Sequence, residues 1–394
     1  MSTAEHDPSV SAGKHTGTPR YHLLLPHKEK FSPANAGAVA TIAADLVRSS
    51  KTPKAIRIFG TAVSTPFQNC NFSPLTIRRR WWHGGNIGFA EAYLRQLDEM
   101  ALPDLVEVHG RCQVASHIKA RRPDLKVALY LHNDPREMKA AVTAAERRDL
   151  LDRMSAVICV SNYIRQCFLD GVDASTELTS KTHVVHNGVE RLQKKLAPKK
   201  PIILFVGRMV AEKGVQELAE AAAQILPNHP EWQLCLAGAR GFEVAEKSPY
   251  EKQVEAALVG LGEQAKMTGF LPYADIRALQ DEAAIIACPS IWEDPMPKVV
   301  LEALAAGCAL LASRRGGIPE VAEGRAHIID DPNVDTLASA IEQLIADGSY
   351  RKSLQQAAWA DFPFTARQMA ADADTARNAA ISAPVERQKH GLSD

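Results

Sequence analysis

The sequence has no apolar run long enough to cross a bilayer, no C-x-x-C pair, no clustered histidines and cysteines, and no excess of either charge. Each absence excludes a class. A membrane-spanning helix needs about 20 consecutive apolar residues, and no stretch supplies them. Lys+Arg and Asp+Glu each total 46, so the chain lacks the basic footprint of a nucleic-acid binder. The 7 cysteines are scattered and odd in number, and Cys159, Cys235 and Cys288 fall in apolar runs. That usage predicts reduced, buried thiols in a cytosolic protein and no structural metal. Residues 1–20 are polar without an apolar core, so they predict a disordered tail and not a signal peptide.

What is present is an ordinary globular balance, 46% hydrophobic and 23% charged, over 394 residues, more than one hydrophobic core accommodates. Short apolar runs alternate with helical patterns. Strands are predicted over 21–26, 55–60, 104–110, 126–132, 156–161 and 183–186, then over 201–206, 233–237, 266–270, 284–288 and 309–313. Such alternation predicts parallel, doubly wound sheets. The charged segment 190–200 lacks apolar periodicity and reads as a linker. The predicted organisation is a tail (1–20), a first Rossmann-like domain (21–189), the linker, a second such domain (201–364), and a final segment (365–394) beginning with a helix. Residues 61–86 read as one long irregular loop carrying Arg78, Arg79, Arg80, Trp81 and Trp82. Arginines beside tryptophans suit an anionic membrane surface, an acceptor pocket, or a solvated loop with the indoles packed beneath. Asp372 and Asp374 are two residues apart in a helical pattern, on different faces, and read as solvated surface.

The stretch 288–324 carries the chemistry. It reads as strand, loop, helix, strand, loop, helix, with Pro297 at the first helical position and Gly307 closing that helix. Both loops leave the carboxyl end of a strand, the edge of a parallel sheet where ligands bind. Helix N-termini there favour an anion such as a diphosphate. Glu293, Asp294 and Glu302 are carboxylates at that edge, and beside an anion they are tolerable when they accept hydroxyl hydrogen bonds. A diphosphate and a set of sugar hydroxyls together describe a nucleotide sugar. The alternative for Glu302 is a surface pair with Lys298 at i, i+4.

Asp294-x7-Glu302, the following Ala-Leu-Ala-Ala-Gly, and Gly316-Gly317-Ile318-Pro319-Glu320 resemble the donor-site signature of glycosyltransferase family 4. So does Gly207-Arg208-x4-Lys213-Gly214. The resemblance implies the GT-B fold, two Rossmann-like α/β domains facing across a cleft, and a retaining transferase acting on a UDP- or GDP-hexose. It assigns Arg208, Lys213, Gly207 and Gly37 to the donor diphosphate. It sets Glu293, Pro295, Met296, Pro297, Gly269 and Phe270 against the donor sugar and nucleotide. His132 resembles the family's active-site histidine, and His109 is a second candidate, on the acceptor side. Where the family has Glu-x7-Glu, this chain has Asp294; either the loop compensates for the shorter side chain or Glu293 shares the role. The family works without a metal or other cofactor, and the implied acceptor is a glycan or lipid-linked molecule, met in the cytoplasm or at the inner face of the membrane. A GT-B epimerase or phosphorylase, or a non-catalytic glycan-binding protein, are the alternatives.

Overall fold

Val127–Leu131 is apolar at every position and buried at every position, as the middle of a sheet covered on both faces requires. In the computed structural model, which describes residues 20–77, 84–241, 246–360 and 362–382, this strand belongs to the first of two parallel sheets. The first holds β1 (Tyr21–Leu24), β2 (Ile56–Thr61), β3 (Asn71–Leu75), β4 (Leu105–His109), β5 (Val127–Leu131), β6 (Ala156–Cys159) and β7 (Thr182–Val184), in the order β3-β2-β1-β4-β5-β6-β7. The second holds β8 (Lys200–Val206), β9 (Gln233–Ala237), β10 (Ala265–Gly269), β11 (Ala283–Cys288), β12 (Ala309–Ser313) and β13 (Ala326–Ile329), in the order β10-β9-β8-β11-β12-β13. In each sheet the winding reverses once, between β1 and β4 and between β8 and β11. A crevice opens at such a switch point, outside the carboxyl ends of the strands. The two-domain GT-B architecture follows.

Three expectations are corrected. Residues 61–86 are not one irregular loop, because Asn71–Leu75 pairs in parallel with β2 at the sheet edge. Its sequence hides it: Asn-Phe-Ser-Pro-Leu is fully buried at Leu75 alone and contains a proline, which only an edge strand accepts. Arg78, Arg79, Arg80, Trp81 and Trp82 lie outside the described residues. Pro297 stands one residue before the helix Lys298–Ala306, as its extended N-cap residue. Asp374 is not solvated surface. It accepts from Ser50 at 3.2 Å and from Arg377 at 3.1 Å.

The helix Ala366–Ser382 lies against the first domain, on the helix Ala38–Ser49 and on β4 and β6. Its buried face reads Ala366, Met369, Ala370, Ala373, Ala376, Arg377, Ala380, a stripe at helical spacing whose small side chains permit close approach. The one long charged member, Arg377, is fully buried. All seven cysteines are unpaired, and six are buried.

Candidate functional site

The two switch points face each other across a cavity of about 630 Å³, in the size range of a small-molecule site. From the first domain, the loop after β1 contributes Glu29 and Gly37, and the end of β5 contributes His132. From the second, the turn after β8 contributes Gly207, Arg208 and Lys213. The loop after β11 contributes Ser290, Trp292, Asp294, Pro295, Met296 and Pro297, and the next helix adds Glu302.

Arg208 is exposed, and its side chain has no hydrogen bond or ion pair to another described residue. Lys213 is paired with Asp294, whose other neighbour is the Ser290 hydroxyl at 3.4 Å. Asp294 is only 4% exposed. Glu293 points elsewhere: its carboxylate accepts the Gly316 N–H at 2.5 Å, and it does not line the cavity. The two neighbours therefore have separate tasks. Glu293 fastens the following loop, and Asp294 faces the cleft. A β-carbon at Gly316 would lie 2.1 Å from the Asp294 carbonyl, so that loop closes only with glycine there. Glu302 is buried and accepts from Tyr273 Oη at 3.3 Å and Gln280 Nε2 at 3.0 Å. Lys298 does not pair with it. Lys298 reaches across to Asp45 of the first domain, 3.0 Å away.

Gly37 fits the diphosphate role poorly. A β-carbon there would meet the Glu29 carboxylate at 2.6 Å. The Glu29 carboxylate therefore lies against the N-terminus of that helix, with Oε2 buried and unpartnered among the described residues. Burial raises its pKa, opposed by the nearby Ala40 and Gly37 backbone N–H groups and by Arg111. Gly269 ends β10 in the left-handed region, at φ +70°, and lies outside the cavity lining, whereas Phe270, 48% exposed, lines it.

His109 is corrected most. It is fully buried behind His132, not on an acceptor surface. Its Nδ1 is 2.9 Å from His132 Nε2, and its Nε2 is 2.8 Å from Glu107 Oε1. Glu107 is clamped in turn by Arg377, at 2.8 and 3.0 Å. Burial lowers the pKa of His132 well below the usual imidazole value, assisted by Arg111, so its ring is neutral near pH 7.

Sequence reasoning missed the groups that join the domains. Glu320 accepts the backbone N–H groups of Asn162 and Tyr163, both at 2.8 Å, and His186 Nε2 lies 2.9 Å from it. Burial opposes its charge, and these donors outweigh it, lowering its pKa. Asn187 donates to the Met296 carbonyl at 3.1 Å. Glu29 and Asp45 were missed as well. Among the described residues, no three carboxylate, histidine or cysteine side chains converge as a metal site.

Comparison with known proteins agrees with this geometry. The family model described as Glycosyl transferases group 1 matches residues 189–360, and that described as Glycosyltransferase Family 4 matches residues 56–191. The chain is 29% identical to Bacillus subtilis YtcC over 265 residues, 62% of this chain and 64% of that protein, so the match spans just under two thirds of that relative. It is 23% identical to the lipopolysaccharide 1,2-N-acetylglucosaminetransferase of Salmonella typhimurium, over 80% of this chain and 86% of that one. The fold superposes on Anabaena HepE, solved in complex with UDP and glucose, with TM-score 0.71 and 17% identity, over 91% of this chain and 99% of that chain.

Proposed function

Because the chain belongs to glycosyltransferase family 4, we propose that it moves a hexose from a UDP- or GDP-linked donor to a glycan or lipid-linked acceptor, with retention at the anomeric carbon. One observation carries the reading: Arg208, whose side chain is unpaired among the described residues, and the Lys213–Asp294 pair line the same cavity as the buried acceptor Glu302. A diphosphate wants cations, and sugar hydroxyls want carboxylates. Arg208 offers a fork of donors and Lys213 a point charge, so both oppose the charge that grows on the departing diphosphate. Bond breaking at the anomeric carbon gives the electron pair to the leaving phosphate oxygen. The acceptor hydroxyl attacks on the same face, and its proton passes to that oxygen. Neutral His132 orients the sugar and is not the main base. Glu302 accepts ribose hydroxyls, and Asp294 a hexose hydroxyl.

The HepE complex supports UDP and glucose as first donors to try, and the Salmonella relative supports an acceptor of the lipopolysaccharide kind. Among the described residues no helix is long and apolar enough to cross a membrane. The proposal puts the reaction in the cytoplasm, at the inner membrane face where the acceptor is lipid-linked. The test is a mass-spectrometric screen of UDP- and GDP-hexoses against the purified protein, with the anomeric configuration of any product read by NMR. Failure to consume any of them, with no binding of UDP or GDP, overturns the reading; an inverted product overturns retention.

Two further outcomes are expected. Asp294→Asn keeps the shape and removes a charge-assisted bond of about 1.5–3 kcal/mol. Sugar transfer should fall by one to two orders of magnitude with UDP affinity nearly kept, whereas Glu302→Gln should chiefly weaken nucleotide binding. Glu293→Gln should leave transfer within a few-fold of wild type. Loss of transfer in Glu293→Gln, with Asp294→Asn active, assigns the role to Glu293 instead. Second, activity should persist in EDTA, because the cations described above take the place of a divalent ion on the diphosphate. Activity abolished by EDTA and restored by Mg²⁺ or Mn²⁺ shows otherwise.

A further inference from the structure

The chain of contacts behind His132 has a direction. Arg377 carries donors only, and it gives two of them to Glu107, at 2.8 and 3.0 Å. Glu107 is thereby held as a carboxylate, an acceptor only. His109 Nε2, 2.8 Å from Glu107 Oε1, must carry a hydrogen. A neutral imidazole has one N–H, so His109 Nδ1 is bare and accepts. The His132 nitrogen 2.9 Å from it, Nε2, must donate. A doubly protonated His109 would add a second cation at a site with no exposure, where the Glu107 charge is already met by Arg377. The other nitrogen of His132, Nδ1, is itself buried and has no partner among the described residues.

We propose that Glu107, His109 and Arg377 are positioning residues that lock His132 as its Nε2–H tautomer, so that its Nδ1, buried and unpartnered beside the cleft, is kept as a bare hydrogen-bond acceptor. The terminal helix Ala366–Ser382, which carries Arg377, thereby becomes part of the active-site machinery although it never reaches the cleft. An acceptor nitrogen suits a sugar hydroxyl and is repelled by phosphate oxygen. That narrows the task of His132 to the sugar and leaves the diphosphate to Arg208 and Lys213. Ring stacking supports the lock: His109, His132 and Tyr130 lie within 23° of parallel, with centroids 4.7–5.1 Å apart, so the imidazoles cannot turn independently. The other groups around this line are Arg111 at the cleft end, Asp374 pairing with Arg377 at the helix end, and Cys159 and Asp372 near Tyr130.

The tautomer stands apart from the reaction; only its catalytic consequence rests on the glycosyl-transfer reading. The test uses the full chain with ¹⁵N-histidine at pH 7. Long-range ¹H–¹⁵N correlations distinguish the two tautomers and the imidazolium, and His132→Gln identifies the His132 signals. His109 and His132 should both be neutral Nε2–H forms. In His109→Phe, which keeps the Glu107–Arg377 pair, His132 should show mixed tautomers. The kcat for transfer should then fall about tenfold, the size of one hydrogen bond, with the Kd for UDP within about twofold. A wild-type His132 protonated on Nδ1 or on both nitrogens overturns the proposal without any variant. So does a His109→Phe protein whose His132 signals and kcat are unchanged. If no sugar donor is consumed at all, the spectra still decide the tautomer, and the loss falls on the transferase reading alone.

Discussion

Arg377→Ala should destabilise the folded protein by about 3–5 kcal/mol, the range for stranding one partner of a buried ion pair. Against the roughly 5–15 kcal/mol that keeps a typical domain folded, that is a large share. Both side chains of the pair have zero exposure. Removing the guanidinium strands Glu107, takes the anchor from His109, and opens a void where the terminal helix meets β4. The comparison that isolates the charge is Glu107→Gln/Arg377→Met. The new amide oxygen still offers His109 an acceptor, and the one charge left without Arg377, Asp374, is partly exposed and keeps its Ser50 donor, so the double variant should recover most of the loss. Urea unfolding of the three proteins reads the effect. A loss below about 1 kcal/mol in Arg377→Ala shows that the pair does not hold the helix down.

Acid should act through the same buried groups. Burial alone would raise the Glu107 pKa, but Arg377 and His109 outweigh it and hold it well below the usual carboxylate range. A depressed folded-state pKa gives stability that is complete above the unfolded value and is lost as pH falls through the folded one. Glu107 therefore keeps its contribution down to strongly acid pH. His22 responds earlier. Burial, with Arg57 and Arg20 nearby, pushes its pKa from 6.5 down to about 4. The unfolded chain takes up that proton first, so stability should decline as pH falls from 6.5 to about 4, and His22→Phe should flatten that part of the curve.

The elements most easily read from sequence were those buried on both faces. Val127–Leu131 and Ala309–Ser313 are almost uninterrupted apolar runs with every residue covered, and no surface helix looks like that. The edge strand Asn71–Leu75 was invisible because an edge needs neither apolar continuity nor a proline-free ladder. The site divides the same way. Arg208, Lys213, Asp294 and Glu302 sit at fixed offsets from strand ends within the motifs that resemble glycosyltransferase family 4, and that resemblance is what placed them together in one cleft. Sequence left open whether Glu293 or Asp294 faces that cleft, because a one-residue step in a loop reverses which side chain is buried. Glu107 and Arg377 are 270 positions apart, and nothing local marks either as the other's partner. Glu29 was missed for a related reason. A carboxylate in the loop before a helix reads as loop polarity until the chain folds back and sets it on Gly37.

Arg208→Ala and Lys213→Ala should each lower turnover by about 10²-fold or more, as the loss of a charge partner in the transition state does, but by different routes. The Arg208 side chain pairs with no described residue, so its removal breaks no contact among the described residues. Its whole effect should appear as lost stabilisation of the leaving diphosphate. Lys213 is already paired with Asp294. Its removal takes a cation from the diphosphate and also leaves a carboxylate 4% exposed without its partner, so folding stability should fall along with the rate. Lys213→Met/Asp294→Asn separates the two effects. Removing both charges should restore most of the stability while activity stays low, because the diphosphate still lacks its second cation. Arg208→Lys keeps the charge and loses the two-pronged donor set, so it should recover only part of the rate. Steady-state rates with the donor found by the screen, together with urea midpoints, measure all four variants. Near-normal turnover in both single alanine variants would remove Arg208 and Lys213 from the diphosphate site.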